Sequence, residues 1–410
     1  MTKTSKFQRK KTTEIADILR AHIVDYQDKY PLYPAQYKIV SALLNCRTAY
    51  LGGHIDRCME CGEERISYNS CRNRHCPKCQ NLPREKWLED RRADLLPVKY
   101  FHNVFTLPHE LNPIILANKK VMLNILFKSV AKTLLSFGEN PTNGLNGKLG
   151  FISVLHTWDQ LLHTHFHLHC LVPGGAVSFD KQNWHPCKNK YLFNVKALSL
   201  VFRGKFIDFM KAAYIKKKLR FPGILIPFKK HGRFQQLVDS LYGKKWIVYI
   251  KKPIERPEFI IKYLGRYTHR VAISNQRIVS LKEGMVTFTR KNRVTNKIIK
   301  ETIPAVEFIR RFLLHALPKR FVRIRHYGYL SSRNKKQNLV QIRKLMGVPA
   351  TVTEQIEKSV QEIMLELTGV DILLCPCCRK GKMMKVREIP LYTGESAYAI
   401  IRPPNVRKTA

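Results

Sequence analysis

Acidic side chains are scarce in this chain of 410 residues: 30 Asp and Glu face 73 Lys and Arg, a formal net charge of +43. An excess of that size, spread over the whole length, makes a polyanion the expected partner, and nucleic acid suits it better than a membrane surface. No run of apolar residues approaches membrane-spanning length, and the start, M-T-K-T-S-K-F-Q-R-K-K, has no apolar segment of the signal-peptide kind. The expectation is a cytosolic chain without a membrane partner. There is no G-x-x-x-x-G-K-[ST] loop, which argues against an attached nucleotide-driven helicase. Internal repeats and low-complexity segments are also missing, while 44% of residues are apolar, enough for buried cores in two or three globular domains.

What is present begins with cysteine. Eleven cysteines in a reducing compartment argue for metal before disulfides. Cys58-Met-Glu-Cys61 and Cys76-Pro-Lys-Cys79 are two C-x2-C knuckles fourteen residues apart, a spacing that matches four thiolates around one zinc. His54, Cys71 and His75 lie close enough to replace a ligand or to build a second site. Arg72 and Arg74 beside the knuckle could touch phosphates. In the tail, Cys375-Pro-Cys377-Cys378 offers two or three ligands and needs a partner from elsewhere.

The central stretch, H-T-H-F-H-L-H-C-L-V-P-G-G from His163 to Gly175, carries histidines at 163, 165, 167 and 169. Side chains two apart on a strand share a face, so four imidazoles would line one side, with Phe166, Leu168 and Cys170 on the other. Neutral imidazoles gathered this way are a natural metal site. A single histidine on a strand is more often structural, but four in register favour a ligand set.

Around this strand the pattern predicts helices over 13–46 with a break at Pro31/Pro34, over 81–97 and over 113–137, and strands at 101–107 and 151–155. From 181 to 260 there are 19 Lys and Arg against four Asp and Glu, with Trp246 and other aromatics among them, the composition of a groove for single strands. A helix starting at Pro257 would place Tyr263 and Tyr267 four apart on one face and Arg266 and Arg270 on the next. Tyrosines so spaced usually pack rather than react; beside a metal they acquire another meaning. Strands near 278–281 and 286–290 and a helix at 305–316 follow. The segment 321–329 alternates basic with apolar residues and would present Arg323 and Arg325 together. Helices at 338–346 and 353–367 complete the pattern.

The chain resembles the HUH endonucleases, and as a whole a two-tyrosine rolling-circle transposase of the insertion-sequence 91 type. The motifs are H-F-H-L-H-C-L-V-P-G-G at 165–175, H-T-W-D-Q at 156–160, Y-L-G-R-Y-T-H-R-V-A-I-S-N at 263–275, S-C-R-N-R-H-C-P-K-C-Q at 70–80, F-T-L-P-H-E-L-N at 105–112 and R-H-Y-G-Y-L at 325–330. Phe166 stands where relatives commonly have Pro.

The resemblance implies an α+β fold, a ferredoxin-like core around a central antiparallel sheet at 96–335. A helical and zinc-ribbon DNA-binding domain would precede it at 1–95, and C-terminal helices with a Cys-rich tail would follow at 336–410. It also implies His167 and His169 as ligands of Mg2+ or Mn2+, with Gln160 as the third, and Tyr263 and Tyr267 as nucleophiles that nick single-stranded DNA at element ends and transfer it to target DNA through a 5′-phosphotyrosine link. Zinc would be structural, and the setting the bacterial cytoplasm and nucleoid. Plasmid and phage replication initiators share the active-site motifs, and a non-enzymatic zinc-ribbon nucleic-acid binder is the remaining alternative.

Overall fold

The computed structural model of the chain describes residues 12–143, 145–188, 191–265, 267–292, 294–350, 358–393 and 401–402. Helix α1 (Ile15–Lys29) begins where Glu14 and Asp17 close a capping box, and α2 (Pro34–Asn45) begins on a proline whose missing N–H is no loss in a first turn. A hairpin of β1 (Gly53–Cys58) and β2 (Glu64–Tyr68) leads through the second cysteine knuckle to α3 (Asn81–Arg92) and β3 (Tyr100–Thr106). The single helix expected at 113–137 is divided into α4 (Asn112–Ala117) and α5 (Lys119–Glu139). Asn118 lies at the break: its amide donates to the Ile114 and Arg220 carbonyls and accepts from the Arg220 N–H.

Strands β4 (Gly150–Trp158) and β5 (Thr164–Pro173) form the long hairpin of the molecule, followed by the short pair β6 (Gly175–Val177) and β7 (Trp184–Pro186). The basic stretch then folds as α6 (Val195–Ile215), α7 (His231–Gly243) and β8 (Ile247–Ile250). Helix α8 (Pro257–Gly265), the meander β9 (Ile278–Lys282), β10 (Met285–Lys291) and β11 (Ile298–Pro304), helix α9 (Ala305–Leu314) and β12 (Ile324–Gly328) come next. The chain continues with α10 (Lys335–Leu345), α11 (Val360–Thr368) and β13 (Met383–Ile389). Residues 351–357 of the helix expected at 353–367 lie outside the described residues.

The central sheet has the order β12-β4-β5-β3-β8, with every neighbouring pair antiparallel. Period-two alternation decides its two faces. Phe101 and Phe105, Phe151 and Leu155, and Phe166, Leu168 and Val172 point one way, into a core shared with α5 and α6. Leu126 and Phe127 of α5 and Phe202 and Phe206 of α6 fill that core. Helix α5 is long and apolar enough to cross a membrane by length and composition, which the sequence reading did not expect; 61% of its most apolar window is buried, so its apolar side chains serve the sheet. Trp246, expected among DNA-stacking rings, is buried against Phe202 and Phe206, and its indole N–H donates to the Leu241 carbonyl.

The opposite face carries His102, His156, His167 and His169, and is covered beside them by Ile260 and Ile261 of α8 and by Leu339 and Ile342 of α10. A second core joins distant parts of the chain. Ile15, Leu19 and Ile23 of α1 pack with Phe288 of β10 and with Phe308 and Phe312 of α9, and Leu162 from the β4–β5 turn enters the same cluster. Lys119 at the start of α5 donates to the Leu314 and Ala316 carbonyls, which caps the end of α9.

Gly328 ends β12 at φ 61°, where an added Cβ would lie 1.6 Å from the Leu149 carbonyl oxygen. Gly347 has a similar φ of 68° but open space around it. Gly328→Ala should therefore cost at least about 2 kcal/mol, and Gly347→Ala only about 1 kcal/mol. Urea unfolding of the two variants checks the difference.

Candidate functional site

The site is built from strand register. In the β4–β5 ladder His156 stands opposite His167 and Val154 opposite His169, and β3 places Val104 opposite His169 from the other side. Three imidazoles, those of His156, His167 and His169, thereby bring their ligand nitrogens within 4.8 Å of one another. The two Nε2 atoms of His167 and His169 are 3.1 Å apart. A set of three convergent nitrogens fits a divalent ion with open positions for substrate oxygens.

Each imidazole is oriented by a partner behind it, as metal-binding histidines require. His167 Nδ1 lies 2.8 Å from the His165 carbonyl, so it donates there and turns Nε2 inward. His156 Nε2 donates to the Tyr267 carbonyl at 2.8 Å, which leaves its Nδ1 for the cluster. His169 Nδ1 is 2.9 Å from Nε2 of His102, a residue of β3. Burial pushes the pKa of His156 and His169 well below the usual value, and neighbouring positive groups add to it. Burial also takes His102 down to about 3, with Lys251 nearby as a further cause. His156, His169 and His102 are therefore neutral near pH 7, the form in which His156 and His169 could serve a metal.

The tyrosines lie against this cluster. The Tyr267 ring packs on His169 with centroids 4.0 Å apart, and its hydroxyl donates to the Tyr263 oxygen at 3.2 Å. Tyr263 Oη and His102 Nδ1 are hydrogen-bonded at 2.5 Å. The expectation of one helix face carrying both tyrosines is corrected: α8 ends at Gly265, and Tyr267 occupies the turn beyond it. The hydroxyls meet nonetheless, since the turn doubles back over the sheet.

Gln160 lines a cavity with His165 but is bonded away from the cluster of His156, His167 and His169. Its side-chain oxygen accepts from the Lys291 N–H at 2.6 Å and its carbonyl accepts from Arg277, so it ties the β4–β5 turn to β10. Asp159 is used in the same turn, accepting from the backbone N–H groups of Leu161 and His163. His163 falls outside β5, is exposed and pairs with Asp159, so three of the four alternating histidines share the strand face. A plain hairpin turning at 159–163 would mirror 167 onto 155; a register shift between His156 and Trp158 brings His156 opposite His167 instead. The sequence held no signal for His102.

The arginines divide. Arg72 and Arg270 are exposed, and Arg266 lies outside the described residues. Arg74 donates to the Phe321 carbonyl. Arg323 donates to the Arg270 carbonyl, while Arg325 donates to Asn124 and lies 4.0 Å over the Phe127 ring, so the two are not presented together. Residue 323 precedes β12 and escapes its alternation.

The cysteines regroup. Cys58, Cys61, Cys76 and Cys79 do not form one set of four; Cys76 and Cys79 join Cys46 and Cys71, and Cys58 and Cys61 join Cys375 and Cys378. In the first group Sγ separations are 3.5 Å for Cys46–Cys79, 3.6 Å for Cys76–Cys46 and 3.7 Å for Cys71–Cys79. Four sulfurs about 2.3 Å from a tetrahedral zinc lie about 3.8 Å apart, whereas a disulfide needs about 2.05 Å. The donor set fits zinc. The knuckle containing Cys76 and Cys79 is buried against the end of α2, where Cys46 follows the helix; β1 carries Cys58 away to a different sheet.

Comparison with known proteins gives the family. Residues 150–338 match the family model Y2_Tnp, described as "Putative transposase", and residues 18–107 match Zn_Tnp_IS91, "Transposase zinc-binding domain". The chain is 43% identical over 385 residues to "Putative transposase y4qJ" of Sinorhizobium fredii, covering 93% of this chain and 96% of the relative. It is 27% identical over 311 residues to "Transposase for insertion sequence element IS801" of Pseudomonas savastanoi pv. phaseolicola, covering 75% of this chain and 73% of that one. No solved structure matches. The chain is thus a DNA-processing enzyme of the transposase class. It belongs to the insertion-sequence 91 family of transposases and carries that family's N-terminal zinc-binding domain.

A histidine with a folded-state pKa below its unfolded value near 6.5 contributes its full stability above 6.5 and loses it as pH falls toward the folded value. For His102 that window runs from 6.5 to about 3. Metal-free protein should lose about 1.4 kcal/mol per pH unit for each imidazole that stays neutral in this window. Melting temperatures between pH 7.5 and 5.5 read this, and His102→Gln should flatten the slope.

Proposed function

We propose that the protein nicks single-stranded DNA at the ends of its element and transfers the strand to target DNA, in the rolling-circle manner, with Tyr263 making the first attack. The observation that carries this reading is the contact of both tyrosine hydroxyls with each other and, through His102 and the Tyr267 ring, with the histidine cluster. A tyrosine pair on a surface helix would have no such neighbours.

His156, His167 and His169 would hold Mg2+ or Mn2+. When bound, the ion supplies Lewis-acid polarisation of the scissile phosphodiester and a fixed orientation for in-line attack. The chain's own groups do the rest. With Nε2 of His169 given to the cluster, its Nδ1–H donates to His102 Nε2, and His102 Nδ1–H then donates to Tyr263 Oη. The Tyr267 hydroxyl donates to the same oxygen. Two donors therefore meet the atom on which negative charge develops as the phenol proton leaves. The phenol proton passes to solvent as Tyr263 Oη forms the new bond to phosphorus, the P–O3′ bond breaks, and O3′ takes one proton back from solvent to leave as a hydroxyl. The 5′-phosphotyrosine keeps the bond energy for strand transfer, so no nucleotide cofactor is needed.

Exposed Arg72 and Arg270 would follow the DNA backbone, as would Arg266 by its place in the motif; Arg74, Arg323 and Arg325 would act by holding the surface in shape. Residues 1–95 would serve DNA binding around a zinc held by Cys46, Cys71, Cys76 and Cys79, with catalysis in 96–335 and the remainder in 336–410.

The test uses single-stranded oligonucleotides copied from the genomic flanks of the coding region, with Mg2+ or Mn2+, on a denaturing gel. Wild type should give a covalent adduct, Tyr263→Phe should reduce it at least about 100-fold, and the double Phe variant should give none. An undiminished adduct in the double variant overturns the reading.

A further inference from the structure

The second thiolate group uses residues from both ends of the chain. We propose that Cys58, Cys61, Cys375 and Cys378 form a second zinc site, which clasps the C-terminal strand β13 onto the N-terminal hairpin. Two of its ligands lie far beyond the matched zinc-binding domain, which ends at residue 107. The proposal does not depend on the catalytic reading above.

Geometry is the first argument. Cys58 and Cys378 Sγ are 3.7 Å apart, and so are Cys61 and Cys375 Sγ, close to the edge of a zinc tetrathiolate and far from a disulfide. Both pairs of ligands sit in knuckles whose backbone N–H groups point at sulfur: Glu60 and Cys61 N–H donate to Cys58 Sγ at 3.4 and 3.5 Å, and Gly381 N–H donates to Cys378 Sγ at 3.3 Å. Such donors stabilise the negative charge that thiolate ligands bring to a metal. At residue 381 an added Cβ would lie 2.4 Å from Cys58 Sγ, so glycine lets the tail knuckle approach the other one.

The second argument is what the sheet lacks. Strand β13 pairs with β1 from Gly53↔Ile389 to Cys58↔Met383, and β2 completes three strands. Met383 is the one buried side chain of β13. The local core consists of Cys58, Cys375 and Met383, with Cys378 packed against it. A small three-stranded sheet with so little apolar burial is marginal by itself, and metal ligation is the usual replacement for a core in such folds. Soft thiolates in a set of four select zinc over Mg2+ or Mn2+.

The two thiolate sites also differ in shelter. Each has one half-buried cysteine, Cys71 and Cys378 respectively, but the other three of the first group are buried whereas Cys61 of the clasp is exposed. The clasp should therefore yield its metal to a chelator first, and release β13 when it does.

The experiment replaces zinc by Co2+ in the full chain and reads thiolate-to-cobalt charge transfer, which histidine ligands do not produce. Cys375→Ser/Cys378→Ser should halve the absorption per chain, Cys46→Ser/Cys71→Ser should halve it as well, and Cys377→Ser, outside both groups, should leave it unchanged. A second arm needs no variant: Lys382, Lys385 and Arg387 are exposed but held in or beside a paired strand, so chelation of wild type should open the bonds after them to trypsin, and added zinc should restore protection. Full absorption in the Cys375/Cys378 variant, or cleavage indifferent to chelator, overturns the proposal.

Discussion

The register of one hairpin governs this molecule. Because β4 and β5 pair so that His156 faces His167, two strands supply three imidazoles to one patch of the sheet. A slip of one residue would send His156 into the phenylalanine core and bring Leu155 to the histidine face. Both faces resist such a slip. On one side Phe166, Leu168 and Val172 are committed to α5 and α6; on the other, His156 is bonded to the carbonyl of Tyr267. At the tip, Leu162 enters the second core and the His315 ring bonds to Thr157 and to the Leu162 carbonyl.

The bond from His156 to the Tyr267 carbonyl links the imidazole cluster to the turn that carries this tyrosine. The chain reaches Tyr267 only after leaving α8, and the turn has to close onto the sheet for His156 to be satisfied. The positions of His156 and of Tyr267 are thus one structural fact. Helix α8 itself is held by Ile260 and Ile261 against Leu88 of α3 and Leu171 of β5, so the N-terminal region contributes to the placement of the tyrosines.

The parts of this arrangement that repeat at short range could be read directly. Alternating histidines gave the strand and its histidine-lined face, and the prolines at 31 and 34 gave the break between α1 and α2. The central antiparallel sheet and its flanking helices are those that the family resemblance implies. Reading failed where partners are distant. Two C-x2-C knuckles looked like one site because spacing says nothing of Cys46 and Cys71, or of a tail more than 300 residues away. Gln160 looked available because its competing partner, the Lys291 N–H, belongs to a strand formed far downstream. His102 was hidden for the same reason: its neighbours come from β5 and α8, and nothing adjacent in sequence marks it. Basic, aromatic-rich composition between 181 and 260 likewise said nothing of Phe202, Phe206 and Trp246 turning inward.

The three-imidazole cluster is the feature on which the placement of the tyrosines, and the chemistry proposed for them, depends. Titration of Mn2+, with the free ion followed by electron paramagnetic resonance, tests it most directly in wild type, His156→Ala and Gln160→Ala. Affinity should fall at least about tenfold in His156→Ala and stay within about twofold of wild type in Gln160→Ala. Loss of binding in the glutamine variant together with wild-type affinity in the histidine variant would contradict the cluster as the ion's site.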